Sequence, residues 1–409
     1  MRQRFLAALL CMAIGVGSVS VSACGQKKKK ALPGAPSASA SSRPGLPPNI
    51  DADLLKQLTT IAQTCKVDAI EGSVICPQGE NRRLIGEFTA NQRSRLAATA
   101  TLAHALADST TGLQAATANL MNGAFRSPWG PDLKAGAVQA ADANALLAAA
   151  LKAPKALARQ AVPAAVLAAT LAGQKDELFA ALDKADQTEL RPLGYRYVMT
   201  HGRLAVFGKV QQLVKDNNSA LSFAALEAPI NMYGWTETEK AALCPWATEL
   251  LKDPRPNVAT RAAGLLSRCG GEYVDALLDR GERALKGGQF NAGELGAFRD
   301  LCSAANQREA GGASAKQCQR NRDLLRDVVG AKKLDSQTRS MALASLAYQW
   351  PDDKTLKLAQ SLLKDSDKSL AEHADRTVKR LEQRKQLEGG GAHPEKKAAA
   401  ERAKPPRPQ

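Results

Sequence analysis

A short pattern recurs at intervals of 31–40 residues and restricts the fold of this chain more than any other feature. Each copy has an apolar residue, then a charged residue that is usually basic, then a turn-forming residue. The copies begin at Leu151, Val214, Leu251, Leu285, Leu325 and Leu363, with an imperfect copy at Leu182. From Asn91 onward, apolar residues also recur at spacings of three and four between Gly, Pro, Asp and Asn. This pattern predicts amphipathic helices of about 10–17 residues joined by short connectors.

Two helices repeated at such a period are typical of an α-solenoid. An isolated helix pair cannot bury its apolar face, and stacking on neighbouring pairs completes the core. The composition agrees, because only 4% of the residues are aromatic and 18 of the 38 residues in 135–172 are Ala, the best helix former. Regular alternation of strands and helices is not seen, which argues against a Rossmann or barrel fold. We therefore predict an all-α fold, a solenoid of stacked antiparallel helix pairs, over residues 91–388.

The segment from Leu250 to Leu266 resembles a unit of the HEAT-repeat family. It contains the family's Asp-Pro turn, here Asp253-Pro254, followed by the apolar pattern of a second helix at Val258, Ala262, Leu265 and Leu266. In the family an Arg usually follows the Val directly, whereas here the basic residue is Arg261. Residues 362–378 are a weaker match. Another helical repeat, such as a tetratricopeptide array, is the alternative, but its Trp/Leu-Gly/Tyr pattern is not evident.

The amino terminus has the layout of a bacterial export signal. A basic start, Met1-Arg-Gln-Arg, precedes an apolar and small-residue run from Phe5 to Val21. The sequence Val21-Ser22-Ala23-Cys24 that ends this run resembles the lipobox of bacterial lipoproteins, with Val in place of the more usual Leu. The resemblance implies that residues 1–23 are removed and that the sulfur of Cys24 receives a diacylglyceryl group. Soluble export, with Cys24 as a free thiol, is the alternative.

The residue after the lipobox cysteine bears on which membrane holds the protein. It is Gly25 rather than the Asp that is linked to inner-membrane retention, so the resemblance implies an outer-membrane anchor facing the periplasm. Residues 24–50 are rich in Lys, Pro and Ser and predict a disordered tether. Within it, Lys27 to Lys30 would lie beside anionic headgroups. A second low-complexity segment, 389–409, predicts a disordered basic tail.

The net charge gives little support to a nucleic-acid partner. The formal net charge is +16, and ten of those sixteen positive charges lie in residues 1–50 and 389–409. A nucleic-acid-binding domain usually concentrates its basic residues on one face of the folded body. After residue 23 the chain also lacks a long uncharged apolar run, which excludes a protein with several membrane spans.

Six cysteines remain once Cys11 leaves with the signal and Cys24 is lipidated. An even number in an oxidising compartment predicts three disulfides, although six cysteines allow fifteen connectivities. Cys65 and Cys76 flank two short predicted strands around Glu71-Gly72, which place residues 51–90 as a helix and a disulfide-linked hairpin that cap the body. The other predicted pairs join helices, Cys302 to Cys318 across the Gly311-Gly312 connector and, by elimination, Cys244 to Cys269.

The sequence contains no recognisable catalytic, cofactor-binding or metal-binding motif. Ser361-Leu-Leu-Lys364 matches the SxxK of penicillin-recognising enzymes, but the partner motifs SDN and KTG do not follow it. The four histidines are scattered, and no Cys/His cluster has zinc spacing; they are His104, His201, His373 and His393. A modest aromatic group could be either core or interface, namely Trp235, Trp246, Trp350, Tyr233 and Tyr348.

Together these features favour a lipid-anchored protein of the cell envelope that binds another envelope protein through its helical-repeat surface, without catalysis. The expected partners are the membrane, through Cys24, and a protein; neither a nucleic acid nor a small-molecule substrate is indicated. The alternative is an envelope enzyme, or an accessory subunit of one, whose site leaves no motif in the sequence.

Overall fold

The computed structural model describes residues 47–68, 71–126, 133–134, 136–290, 292–302 and 313–389. The predicted signal peptide, the lipobox-like sequence and nearly all of the predicted tether and tail lie outside this range. The helices are α1 Ala52–Thr64, α2 Glu80–Ala90, α3 Gln92–Ala97, α4 Thr99–Leu106, α5 Thr111–Leu120, α6 Ala140–Lys152, α7 Lys155–Leu171, α8 Lys175–Asp183, α9 Leu190–Tyr195, α10 Val198–Gly202, α11 Phe207–Val214, α12 Ser219–Ile230, α13 Glu237–Leu250, α14 Pro256–Leu266, α15 Glu272–Lys286, α16 Leu295–Leu301, α17 Ala315–Gly330, α18 Ser336–Gln349, α19 Asp353–Ser361 and α20 Lys368–Gly389. A π-helical turn, Met121–Phe125, follows α5, and a 3₁₀ turn, Arg203–Val206, follows α10.

In the described part of the chain, strands occur only where the sequence predicts them, as β1 Lys66–Asp68 and β2 Ser73–Ile75. They pair antiparallel, with Val67 opposite Val74. The disulfide between Cys65 and Cys76 closes this hairpin. The hairpin packs on α5, as does α1, so the predicted cap shares its core with the body.

The fold is all-α, as predicted, and from α6 onward it consists of helix pairs joined by short connectors. The second helices contact one another in succession, because α9 touches α7 and α12, α14 touches α12 and α16, and α18 touches α16 and α20. First helices also meet, α6 with α8 and α15 with both α13 and α17. The pairs thus form two layers of helices, an arrangement compatible with an α-solenoid.

The recurring sequence pattern marks the ends of the first helices. Six of its seven copies fall within two residues of the last residue of α6, α8, α11, α13, α15 or α19. Lys152 of α6 and Lys286 of α15 lie in a last turn, where a basic side chain interacts favourably with the helix dipole. In the other copies the charged residue lies at or just after the helix end, and the turn residue stops the helix. The exception is Leu325, which is fully buried inside α17, a helix that runs on to Gly330.

Helix α7 departs from the amphipathic pattern. Every residue from Ala161 to Leu171 is buried, including Pro163. The helix is enclosed by α5, α6, α8, α9, α10 and the π-helical turn. A helix that is apolar all round is stable only when it is covered on every side. The amino-terminal half of the body is therefore built around one central helix, which is also the first member of the second layer.

Polar side chains connect successive pairs by bonding to the carbonyl groups at helix ends. Arg255 donates to the Val214 carbonyl at 2.8 Å and to the Asp216 carbonyl at 3.2 Å, just before and after the end of α11. Arg280 donates to the Leu251 carbonyl at 3.0 Å, just past the end of α13. The last carbonyls of a helix have no partner within it, so these contacts satisfy them while they align neighbouring pairs.

The other two disulfides join the cysteines paired above from the sequence. Cys244 of α13 is bonded to Cys269, just past α14, and Cys302, just past α16, is bonded to Cys318 of α17. Each bond therefore ties one helix to the end of another. Among the described residues, no helix combines the length and the apolar character needed to cross a bilayer.

Candidate interaction surface

The polar residues singled out in the sequence do not come together. His104 is exposed on α4, and His373 lies 2.9 Å from a guanidinium nitrogen of Arg376 on its own helix. Ser361 donates its hydroxyl proton to the Leu358 carbonyl at 2.7 Å, and Lys364 lies in the exposed turn that follows. Cys24 and His393 lie outside the described residues. The described histidines and the Ser361–Lys364 pair therefore do not form a shared site.

The predicted aromatic group is likewise dispersed. The Trp235 indole donates to the Pro229 carbonyl at 3.1 Å and is buried. Trp246 packs edge-on against Phe207 in the first layer, with ring centroids 5.1 Å apart. The two tyrosines are different, because Tyr233 and Tyr348 are 60% and 63% exposed.

A different group of side chains assembles on the second layer, around Phe223 of α12. The guanidinium carbon of Arg261, on α14, lies over the Phe223 ring at 4.0 Å from its centroid. Arg196, between α9 and α10, lies over the same ring at 5.7 Å. Attraction between a cation and a ring face is worth about 0.5–2 kcal/mol per contact.

Glu227, one turn after Phe223 on α12, joins the same two arginines. Its carboxylate lies 2.5 Å from Nε of Arg196 and 3.3 Å from a terminal nitrogen of Arg261. Side-chain exposure is 19% for Glu227 and 36–38% for the two arginines. The glutamate is thus shielded while the arginines remain open to solvent on one side.

The group continues toward the amino-terminal half through Tyr197. Nε of Arg126 donates to the Tyr197 hydroxyl at 3.1 Å, and a second nitrogen of Arg126 contacts the Asn122 side chain at 3.4 Å. Arg126 is exposed and, among the described residues, forms no ion pair. We call these six side chains the arginine row: Arg126, Tyr197, Arg196, Glu227, Phe223 and Arg261.

The electrostatic balance of the arginine row is positive, since it holds three guanidinium groups and one carboxylate. Burial lowers the pKa of the Arg261 guanidinium; Glu227 opposes this effect and Arg196 adds to it. Arginine nevertheless remains charged at any physiological pH. The row therefore presents about two uncompensated positive charges together with aromatic surface.

The turn after α12 is held in place by two further arginines. Arg203 donates to the Tyr233 and Gly234 carbonyls, both at 2.7 Å, and to both oxygens of Glu239 at 2.5–2.6 Å. Burial opposes ionisation of Glu239, but the hydrogen bonds from Arg203 and from the Thr236 backbone hold its pKa below the usual range.

Arg268 approaches the same turn from the segment just past α14. It donates to the Ile230 carbonyl at 2.8 Å and lies over the Trp235 ring at 4.6 Å. Arg203 and Arg268 therefore hold the turn at the end of α12, the helix that carries Phe223 and Glu227 of the arginine row.

His201 lies near Arg203 as a half-buried, neutral side chain. Burial, with the positive charges of Arg203 and Arg95, lowers its pKa to about 4. The imidazole is therefore uncharged at neutral pH, which suits its place beside two guanidinium groups.

Two surface grooves lie in the carboxyl-terminal half. One, of about 540 Å³, lies between α14 and α15, where Arg280 binds the buried Glu294 at 2.6 Å. The other, of about 650 Å³, lies between α15 and α17, where Arg320 contacts Asp279 and, at 2.6 Å, Glu282. In both grooves these acids and bases pair with each other and link neighbouring helices.

A scan of the chain against models of protein families finds no match, and a comparison with curated proteins finds no relative that matches it. What characterises the described part of the chain is its own fold and surface: a helical body with one short β-hairpin, three disulfides, and a partly exposed row of arginine and aromatic side chains.

Most of the arginine row is absent from the residues predicted from the sequence. Arg261 was predicted only as the basic residue of the HEAT-like unit, shifted from its usual place directly after the Val. A usable signal was present, because Phe223 and Glu227 lie four residues apart on one helix face and Arg196 and Arg261 each lie about one repeat away.

Proposed function

We propose that this chain is a lipid-anchored protein of the cell envelope whose helical-repeat surface binds another protein. The anchor is Cys24, exposed after removal of residues 1–23, and the tether that follows holds the body near the membrane. The body is proposed to be a HEAT-like α-solenoid. The orientation that we propose is an outer-membrane anchor with the body in the periplasm.

One observation supports the binding role: the arginine row spans successive members of the second layer, and its three arginines are partly or fully open to solvent. Arginine and aromatic residues are the types most enriched where proteins bind one another. Further exposed apolar side chains lie on α18, another helix of that layer, at Met341 and Tyr348. A non-catalytic role is part of the proposal.

The anchor is tested by Cys24→Ala. We expect this variant to leave the detergent-requiring membrane fraction or to accumulate as uncleaved precursor. Fractionation and maturation like those of the wild type would contradict the lipoprotein proposal.

The binding role is tested by a photo-crosslinking amino acid placed at Tyr348, on the second layer, in intact cells. Gln212, exposed on α11 of the first layer, is the matched control position. We expect a discrete protein adduct from position 348 that the control does not give. Adducts of equal yield from both positions, or none from position 348, would count against the proposed binding surface.

A further inference from the structure

We propose that the arginine row binds an acidic segment of the protein partner through that segment's Asp and Glu carboxylates. This inference rests on the proposed function and adds the chemistry of the partner. The row crosses the π-helical turn, the α9–α10 link, α12 and α14, so its cations are arranged for an extended ligand rather than for one compact anion.

The donors of the row are incompletely used. A guanidinium has five N–H donors. Within the described part of the chain, Arg261 and Arg196 both form their ion pair with Glu227, and the buried Nε of Arg196 has no hydrogen-bond partner. The Phe223 ring holds both groups through its face and takes none of their conventional hydrogen bonds. Several charged donors are therefore left for a ligand.

Glu227 shows which ligand chemistry the row accepts. It is a carboxylate held between two guanidinium groups, at 2.5 Å and 3.3 Å. Planar carboxylates match the planar fork of arginine and accept two parallel hydrogen bonds from it. A carboxylate from a partner would meet the same donors, and Glu227 would compete with it for them.

Arg126 extends the same chemistry by one more position. Its described contacts are with a hydroxyl and an amide oxygen, both neutral groups. An incoming carboxylate would therefore gain a charge-assisted hydrogen bond there, which is about twice as strong as a neutral one. Charge complementarity of this kind also speeds association and selects against basic partners.

The test measures binding of a fluorescein-labelled deca-glutamate peptide to the full-length protein in detergent at 150 mM NaCl, by fluorescence anisotropy. The test variant carries Arg126→Gln, Arg196→Gln and Arg261→Gln. The control variant loses the same charge at exposed arginines outside the row, through Arg82→Gln, Arg83→Gln and Arg380→Gln. We expect the test variant to bind about tenfold more weakly and the control to bind within about twofold of the wild type. Equal weakening of both variants would overturn the proposal.

A variant of opposite sign protects the test against misfolding. Glu227→Gln removes the competing carboxylate but keeps the shape of the side chain, so we expect the peptide to bind several-fold more tightly. Unchanged or weaker binding by this variant would refute the role assigned to the row. Arg261→Lys keeps the charge but loses the planar fork, and we expect it to bind more weakly than the wild type.

Competitors distinguish the source of the anion. Inorganic phosphate and dihexanoyl phosphatidylglycerol are added to the peptide complex, and we expect neither to displace the peptide at millimolar concentration. Displacement by the lipid would assign the row to headgroups and overturn the proposal. An adduct from position 348, together with peptide binding that does not depend on the row, would keep the proposed function and reject this inference. Peptide binding that depends on the row, without an adduct from position 348, would show that the row binds carboxylates but would count against the proposed function and its protein partner.

Discussion

Gly281 provides a sharp test of how the carboxyl-terminal helices pack. It lies in the middle of α15 and is buried against Phe298 of α16 and Leu324 of α17. In an exposed helix interior, Gly→Ala stabilises a protein by about 1 kcal/mol, because Gly has the greater conformational freedom to lose on folding. A stabilising effect is therefore what helix propensity alone predicts for Gly281→Ala.

The structure predicts the opposite sign. An added Cβ would lie 2.6 Å from Cζ and 3.0 Å from Cε1 of Phe298, and 2.8 Å from Cδ2 of Leu324. The Phe298 ring is 1% exposed and packs against Phe290, with centroids 5.5 Å apart, so it has little room to withdraw. Overpacking of this kind costs about 1–3 kcal/mol. After subtraction of the gain in helix propensity, we expect Gly281→Ala to lower the free energy of unfolding by about 1–2 kcal/mol.

Gly296 is the matched control, because it also lies in a helix, α16, and a Cβ there would meet no atom within 4 Å. We expect Gly296→Ala to be neutral or to stabilise by up to about 1 kcal/mol. Urea denaturation followed by circular dichroism at 222 nm measures both variants, and the midpoint serves as the readout where the helix pairs unfold in stages. A Gly281→Ala protein as stable as the wild type would mean that α15 does not pack on α16 and α17 as described.

Three further outcomes are expected. The folded-state pKa of His201 is lowered, so the unfolded state binds more protons below pH 6.5 and stability is lost as the pH falls toward 4. Between pH 7 and pH 5 this loss is about 2 kcal/mol. Thermal melts of His201→Gln over this pH range should lack this pH-dependent loss of stability. Replacing both Cys244 and Cys269 by Ala should destabilise the fold by about 3.5 kcal/mol, the loop-entropy contribution for a 25-residue separation. A melting temperature equal to that of the wild type would contradict the presence of this bond. Leu266→Ala removes a fully buried side chain and should lower the free energy of unfolding by about 2–5 kcal/mol in a denaturant titration. A change below about 0.5 kcal/mol would mean that Leu266 lies outside the core.

The sequence by itself was sufficient for features that depend on neighbours along the chain. Helical spacing predicted an all-α body, and the two strands of the hairpin were predicted in place. The recurring pattern marked six helix ends, because a turn residue at or after a helix end stops the helix locally, and a basic residue in the last turn, as in α6 and α15, adds to this. It failed at Leu325, where burial between neighbouring helices carries α17 onward despite the pattern.

Only the tertiary structure determined which side chains meet across helices. Propensity and periodicity describe one helix at a time, whereas the contact between Phe223 and Arg261 depends on how α12 lies against α14. The same holds for Arg126 and Tyr197, which are brought together from 71 residues apart. The complete burial of α7 from Ala161 to Leu171 is also a tertiary property. Its alanine-rich sequence suits any helix, and it becomes a central core only because other helices cover it.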